Sequence, residues 1–250
     1  MIVRLQTTDS TMKDAAALAV RGEPHGTVVV AERQTAGMGR HGHSWHSESD
    51  GGLYLSIILR LPLAGDALPV LTMALGLAAQ CAVDDFADVA CDLRWPNDLL
   101  LNEKKLAGIL VQAPDEGVLI AGIGVNVNQT TFPEELHSIA TSLRLETGQE
   151  YAREALLDRI VAESLRYADL LADRGKRPIL EQFEARSSYV QGKSVEVQAE
   201  DRVITGITMG LDEYGFLRVR TAQGIEIIVA GGVRASTDTW GFSPVPPAPR

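Results

Sequence analysis

Arg94-Trp95-Pro96-Asn97-Asp98-Leu99-Leu100 and Lys105-Leu106-Ala107-Gly108-Ile109-Leu110 lie close together in the chain and put polar groups and a cation at the mouth of an apolar hairpin. Pro96 lacks a backbone donor and restricts Trp95, so this run cannot continue a helix or a central strand. Leu99 to Leu101 reads as a strand, Asn102 to Lys104 as a turn, and Lys105 to Gln112 as the return strand. A period of two places Lys105, Ala107, Ile109 and Val111 on one face, with Lys104 on the other. A lysine leading an apolar strand is costly to bury unless an anion meets it. The plain alternative is a lysine that guards an edge strand against pairing.

A second candidate is Gly37-Met38-Gly39-Arg40-His41-Gly42, which matches G-x-G-x-x-G. The dinucleotide motif requires a helix to begin within it, whereas His43-Ser44-Trp45-His46-Ser47 and a Gly51-Gly52 turn lead to another strand. There is also no G-x-x-x-x-G-K-[ST]. The loop still offers backbone N–H groups to an anion, Arg40 as a bidentate donor, and Trp45 as a flat surface for a heterocycle. Read blandly, it is a surface loop. His41, His43 and His46 have no cysteine nearby and sit on a glycine-rich loop, which favours solvated histidines over a zinc site. In Gly122-Ile123-Gly124-Val125-Asn126-Val127-Asn128, alternating glycines mark a close approach to a strand. Asn126 carries an amide that both donates and accepts, as an adenine edge requires. A bulge at a strand end is the alternative.

These segments need elements to hold them. A helix is expected over 12–20 with Asp9-Ser10-Thr11 as its N-cap, strands over 27–31, 53–59 and 118–127, and helices over 69–86, 152–172 and 178–186. After Gly192 the pattern shifts to short strands at 195–197, 203–209, 216–219 and 225–229 punctuated by glycines, which suggests a small barrel. Residues 243–250 form a proline-rich, polyproline-like tail. The chain has 250 residues, 45% of them hydrophobic and 22% charged, enough for one sizeable core and a small second module. A formal charge of −10 argues against a general nucleic-acid binder. Two cysteines, Cys81 and Cys91, give no disulfide framework and fit a reducing compartment. No signal peptide is visible and no run reaches the roughly 18 apolar residues of a membrane span, so a cytoplasmic protein without membrane contact is expected.

Four of these segments, in this order, resemble the biotin protein ligases. Gln34 to Trp45 resembles their glycine/arginine biotin loop, RWPNDLL their K-W-P-N-D-L, KLAGIL its counterpart, and Gly122 to Asn128 their G-x-G-x-N strand. The resemblance runs from about Thr8 to about Ala235. It implies an α+β fold: a mixed, mostly antiparallel sheet flanked by helices (the class II synthetase-like catalytic fold of biotin and lipoate ligases) with a small C-terminal SH3-like β-barrel. The expected division is a catalytic domain over 1–188, the barrel over 189–237 and a flexible tail over 238–250.

The implied activity is ATP-dependent formation of biotinyl-5′-AMP from biotin, then transfer of biotin to a lysine of a biotin carboxyl carrier protein. Biotin would be bound by Ser10, Thr11, Met12, Gln34, Gly37, Met38, Gly39, Arg40, Lys105, Gly108, Gly122 and Gly124, with Ser10 and Thr11 on the ureido ring. ATP would be bound by Trp45, Asn126, Lys105 and Arg40, with Mg²⁺ on its phosphates. Lys105 and Arg40 would be the catalytic cations. Asp98 would either contact Mg²⁺ or place the acceptor lysine. The family often has arginine where this chain has Met38 and His43, and asparagine where it has Met12; Arg94 replaces a lysine and keeps the charge.

Alternatives are a lipoate-type ligase of the same fold and a non-catalytic biotin-binding module. An octanoyl transferase would need a nucleophilic cysteine, and Cys81 and Cys91 read as packing residues. The motifs begin at Asp9, so the form without a DNA-binding domain and without nucleic-acid binding is expected. An exposed strand edge could pair two copies into a homodimer.

Overall fold

The computed structural model describes residues 1–47, 51–63, 65–199 and 202–236. The expected tail over 238–250 lies outside the described residues. In chain order the elements are β1 (Ile2–Thr8), α1 (Thr11–Val20), β2 (Val28–Gln34), β3 (Gly52–Arg60), α2 (Leu68–Ala87), β4 (Asp92–Arg94), β5 (Asp98–Leu101), β6 (Lys104–Asp115) and β7 (Val118–Asn126). There follow α3 (Leu143–Thr147), α4 (Arg153–Arg174), α5 (Arg177–Arg186) and strands β8 (Gln191–Ala199), β9 (Arg202–Leu211), β10 (Leu217–Thr221), β11 (Gly224–Ile228) and β12 (Gly232–Ala235).

The first seven strands form one sheet in the order β1-β2-β3-β7-β6-β5-β4. Only β1 and β2 run parallel; the other neighbours are antiparallel. The expected mixed, mostly antiparallel sheet is therefore what forms. One face carries the main core. Along β7, Leu119, Ala121, Ile123 and Val125 point into it, and α2 lies across it beneath α4 and α5. Because α2 is sandwiched between the sheet and two helices, it must be apolar all round. The helical stretch Gly65–Ala87 is in fact long and apolar enough to cross a membrane by length and composition, which corrects the expectation that no stretch was. Of its most apolar window, 72% is buried inside the protein, as a core helix requires.

On the opposite face α1 packs through Met12, Ala15 and Ala19 on Val29, Ile58 and Ile120. Along β7 this face reads Ile120, Gly122, Gly124, so two positions of the alternation carry no side chain.

The last five strands form a second, antiparallel sheet in the order β11-β10-β9-β8-β12. Its inward residues Val195, Val197, Leu217 and Val219 are continuous with the main core. The sequence reading missed its fifth strand, which follows Gly231, a residue at φ 152°. It also missed β1, a half-exposed edge strand, and α3, whose N-cap Ser142 accepts from the Leu145 amide.

One expectation about facing is overturned. Opposite β5, Leu99 pairs with Ala107 but Leu100 pairs with Lys105, so Leu106 is an extra residue in a bulge. The bulge flips Lys105 away from the face of Ala107 and Ile109. Its ammonium lies 3.3 Å from where a Cβ on Gly108 would sit, on the glycine side of the sheet.

A glycine-floored cavity with two cations

The glycines of the site face make room for other side chains. A Cβ on Gly122 would come within 2.5 Å of Met12 Sδ, and one on Gly124 within 2.5 Å of Trp45 Cε2. A Cβ on Gly108 would meet Trp45 Cζ3 at 2.8 Å. Trp45 thus lies flat against β6 and β7, and its buried indole N–H has no acceptor among the described residues. An acceptor on a ligand would satisfy it.

The loop carrying Trp45 folds back on itself through a Met38–Ser44 bridge, with Gly39 N–H donating to His43 O and Trp45 N–H to Gly37 O. A Cβ at Gly37 would clash with Trp45 O at 2.6 Å, so that glycine serves the turn itself. Residues 40–42 form one 3₁₀ turn inside what reads from sequence as plain loop. Arg40 leaves this turn and donates from Nη1 to Asn97 Oδ1 at 3.1 Å. Burial pulls its pKa below the ordinary arginine value, against the opposing pull of Asp98.

At the other wall, Lys105 Nζ is 2.6 Å from Asp98 Oδ1, and Arg94 Nη2 is 2.8 Å from Asp98 Oδ2. Burial disfavours ionisation of Asp98, but Lys105 and Arg94 outweigh it and hold its pKa at about 2. Both oxygens are thereby committed. Lys105 Nζ also sits 5.3 Å from the Trp45 ring centroid, within cation–π range. The Lys105 backbone is clamped by Ile139 O and Thr141 N–H. The corner preceding Asp98 is fixed from outside the sheet: the Trp95 indole donates to Gly215 O in the barrel at 2.9 Å.

Thr11, Met12, Gln34, Met38, Gly39, Arg40, Trp45, Lys105, Gly108, Gly122 and Gly124 all line one cavity of about 50 Å³. Of the residues expected at the site, Ser10, Gly37, Asp98 and Asn126 are not part of that lining. Thr11 donates from its backbone N–H to Gln34 Oε1 and its hydroxyl bonds Ser56 Oγ, while Gln34 Nε2 donates to Ser47 Oγ. Ser10 holds the N-cap position of α1, yet its side chain caps nothing; its hydroxyl is fully buried without a partner among the described residues.

Asn126 is 5% exposed and already engaged: Nδ2 donates to Thr141 O and Lys105 O, and Oδ1 accepts from Gln129. A purine would have to displace those bonds to reach its amide. Sequence reasoning missed Asn97, Ser56 and Gln129. Asn97 was visible inside the W-P-N-D run; the other two carry no local signal. Outside the loop, Ala36 to Arg40, Gly42 to Ser44, Leu110 and Gln112 border an open groove of about 610 Å³. Among the described residues no group of three or more His, Cys, Asp or Glu side chains is placed to hold a metal ion.

The family described as biotin/lipoate A/B protein ligase matches residues 4–128, and the biotin protein ligase C terminal domain matches residues 191–233. The bifunctional ligase/repressor BirA of Bacillus subtilis is 37% identical over 90% of this chain and 70% of its own length. The biotin–[acetyl-CoA-carboxylase] ligase of Paracoccus denitrificans is 31% identical over 92% of this chain and 98% of its own. Among solved structures, biotin protein ligase from Aquifex aeolicus in complex with biotin and ATP superposes with a TM-score of 0.84 at 33% identity, over 94% of this chain and 99% of that one. With its glycine-floored cavity, paired sheets and both sequence matches, the chain belongs to the biotin/lipoate A/B protein ligase family, among the biotin protein ligases.

Proposed function

We propose that the enzyme activates biotin with ATP and then transfers it to a lysine of a carboxylase carrier domain. In the first half, the biotin carboxylate oxygen bonds to the α-phosphorus of ATP and pyrophosphate leaves, giving biotinyl-5′-AMP. In the second, the acceptor amine attacks the biotinyl carbonyl, loses a proton, and AMP leaves. Two anions must be brought together in the first half, and the protein's part is to offset their repulsion and orient them.

The observation that carries this reading is that Lys105 and Arg40, 65 positions apart in the chain, line the same glycine-floored cavity beside Trp45. Lys105 would lie between carboxylate and α-phosphate, exchanging its pairing with Asp98 for a substrate oxygen. Asp98, shared with Arg94, keeps that ammonium aimed while the site is empty. Arg40 would hold a second anionic oxygen. The Thr11–Gln34–Ser56 cluster and the unpartnered Ser10 hydroxyl suit a ureido group, which both donates and accepts.

Mg²⁺ belongs to this reading as a companion of the triphosphate. Among the described residues no cluster of His, Cys, Asp or Glu side chains fits a resident ion, and Asp98 is held in ion pairs with Lys105 and Arg94. The cavity is far below the ~300 Å³ of ordinary ligand sites. Entry of biotin and ATP therefore requires the Trp45 end of the loop, beyond Arg40, to lift from Gly108 and Gly124, and its return shields the adenylate from water.

The same reading places the catalytic unit in 1–188 with the barrel in 189–237, and the protein in the cytoplasm, where free Cys81 and Cys91 stay reduced. It includes pairing of two copies along an open edge, β1 or β4, which sedimentation would detect. The central test is adenylate formation with ATP and either biotin or lipoate. Biotinyl-AMP is expected; lipoyl-AMP alone would move the enzyme to the lipoate branch, and neither would leave a binding module.

A further inference from the structure

The two cations are held in different ways. Lys105 starts paired with a carboxylate that Arg94 also uses. Arg40 is half-buried, and its partner is a neutral oxygen, Asn97 Oδ1. Among the described residues no carboxylate forms an ion pair with it.

That neutral partner is itself fixed. Asn97 Nδ2 donates to Ile109 O at 3.0 Å, and Asn97 O accepts from Ile109 N at 2.9 Å. With the amide nitrogen turned to β6, the amide oxygen has to face the loop. A neutral acceptor orients a guanidinium without cancelling its charge, whereas a carboxylate would do both. Asn97 also lines the cavity, so the bond holds Arg40 at the place where an anion would enter.

We infer that Asn97 is the positioning residue for Arg40, latching the glycine loop to the W-P-N-D corner so that an anionic oxygen of substrate meets an aimed cation with no carboxylate in contact with it. This deepens the ligase reading and rests on it. Lys105 then has to be released from Asp98 by the substrate, while Arg40 is ready beforehand. Arg40 acts in capture, and its latch should register in KM more than in kcat.

The test is a double-mutant cycle on adenylation by ATP/pyrophosphate exchange, using wild type, Asn97→Ala, Arg40→Ala and the pair. Asn97→Ala should raise the KM for biotin or ATP by about 10- to 100-fold, the range for a hydrogen bond to a charged group, with kcat within about threefold. In the Arg40→Ala background the same change should cost less than about twofold, because there is nothing left to position. Thermal melting checks the fold, and Asn97→Ser carries the cycle if the alanine variant does not fold. Losses that multiply in the double variant, or an unchanged KM in Asn97→Ala, would overturn the inference while an active wild type leaves the ligase reading standing. A folded wild type that makes no adenylate would instead remove that reading and the inference with it.

Discussion

The two faces of the seven-stranded sheet are built from the same strands and do opposite work. On the α2 side, β7 presents Leu119, Ala121, Ile123 and Val125, and the space is filled by helix side chains such as Leu71, Leu75 and Leu77, none of them exposed. On the α1 side the same strand presents Ile120 and then Gly122 and Gly124, and the space left by the missing side chains is taken by Met12 and Trp45. The first face is packed with groups that gain by staying together. The second is lined by the loop that carries Trp45 and by the cations Arg40 and Lys105. One face stabilises the sheet so that the other can remain open to ligands.

Four perturbations would break or sharpen that contrast. Lys105→Ala on the site face should lower biotin-dependent ATP/pyrophosphate exchange by about 1,000-fold, some 4 kcal/mol of transition-state stabilisation, with melting little changed. Wild-type-like exchange would take Lys105 out of the chemistry. Leu77→Ala on the filled face should do the reverse: a loss of about 3 kcal/mol in denaturant unfolding from the cavity it leaves, with specific activity of the folded protein retained. If activity fell in step with an intact fold, the two faces would not be separable in this way.

Asp98 lies between these extremes, since it serves both fold and site. Its folded pKa of about 2 is below the unfolded carboxylate value, so its contribution is fully present above about pH 4 and lost as pH falls through about 2. Asp98→Asn should remove about 2 kcal/mol of stability at neutral pH and flatten the acid limb of a pH-dependent melting series. An unchanged acid limb would show that Lys105 and Arg94 do not hold the carboxylate in solution. Last, Gly124→Ala puts a methyl group where Trp45 rests. About a tenfold loss of adenylation is expected if the indole must return there, read out together with a shift of tryptophan fluorescence. Gly76→Ala in α2, whose added Cβ would meet Leu93 Cδ2 at an ordinary 3.5 Å, is the matched control on the other face.

The chain's order of motifs made much of this legible. The α2 segment reads as a buried helix because apolar residues surround it on every side, and β7 reads as a strand with glycines where something approaches. Asn97 sat within a recognised motif, but nothing local says that its amide would face Arg40, 57 positions away. β1 was invisible because an edge strand needs no continuous apolar run, only a neighbour to pair with.

The sequence by itself determined which residues could hold an anion, that the Gly37–Gly42 loop was not a dinucleotide fold, and that a second, glycine-punctuated β module follows. Those follow from side-chain chemistry and from backbone restrictions that act within a few residues. Only the tertiary structure decided which way Lys105 points, because a single extra residue at Leu106 reverses the alternation and bulges depend on pairing with another strand. It also decided that Asp98 is a shared counter-ion and that Asn126 is engaged by Thr141 and Gln129, since both outcomes depend on charges and carbonyls brought near by distant parts of the chain.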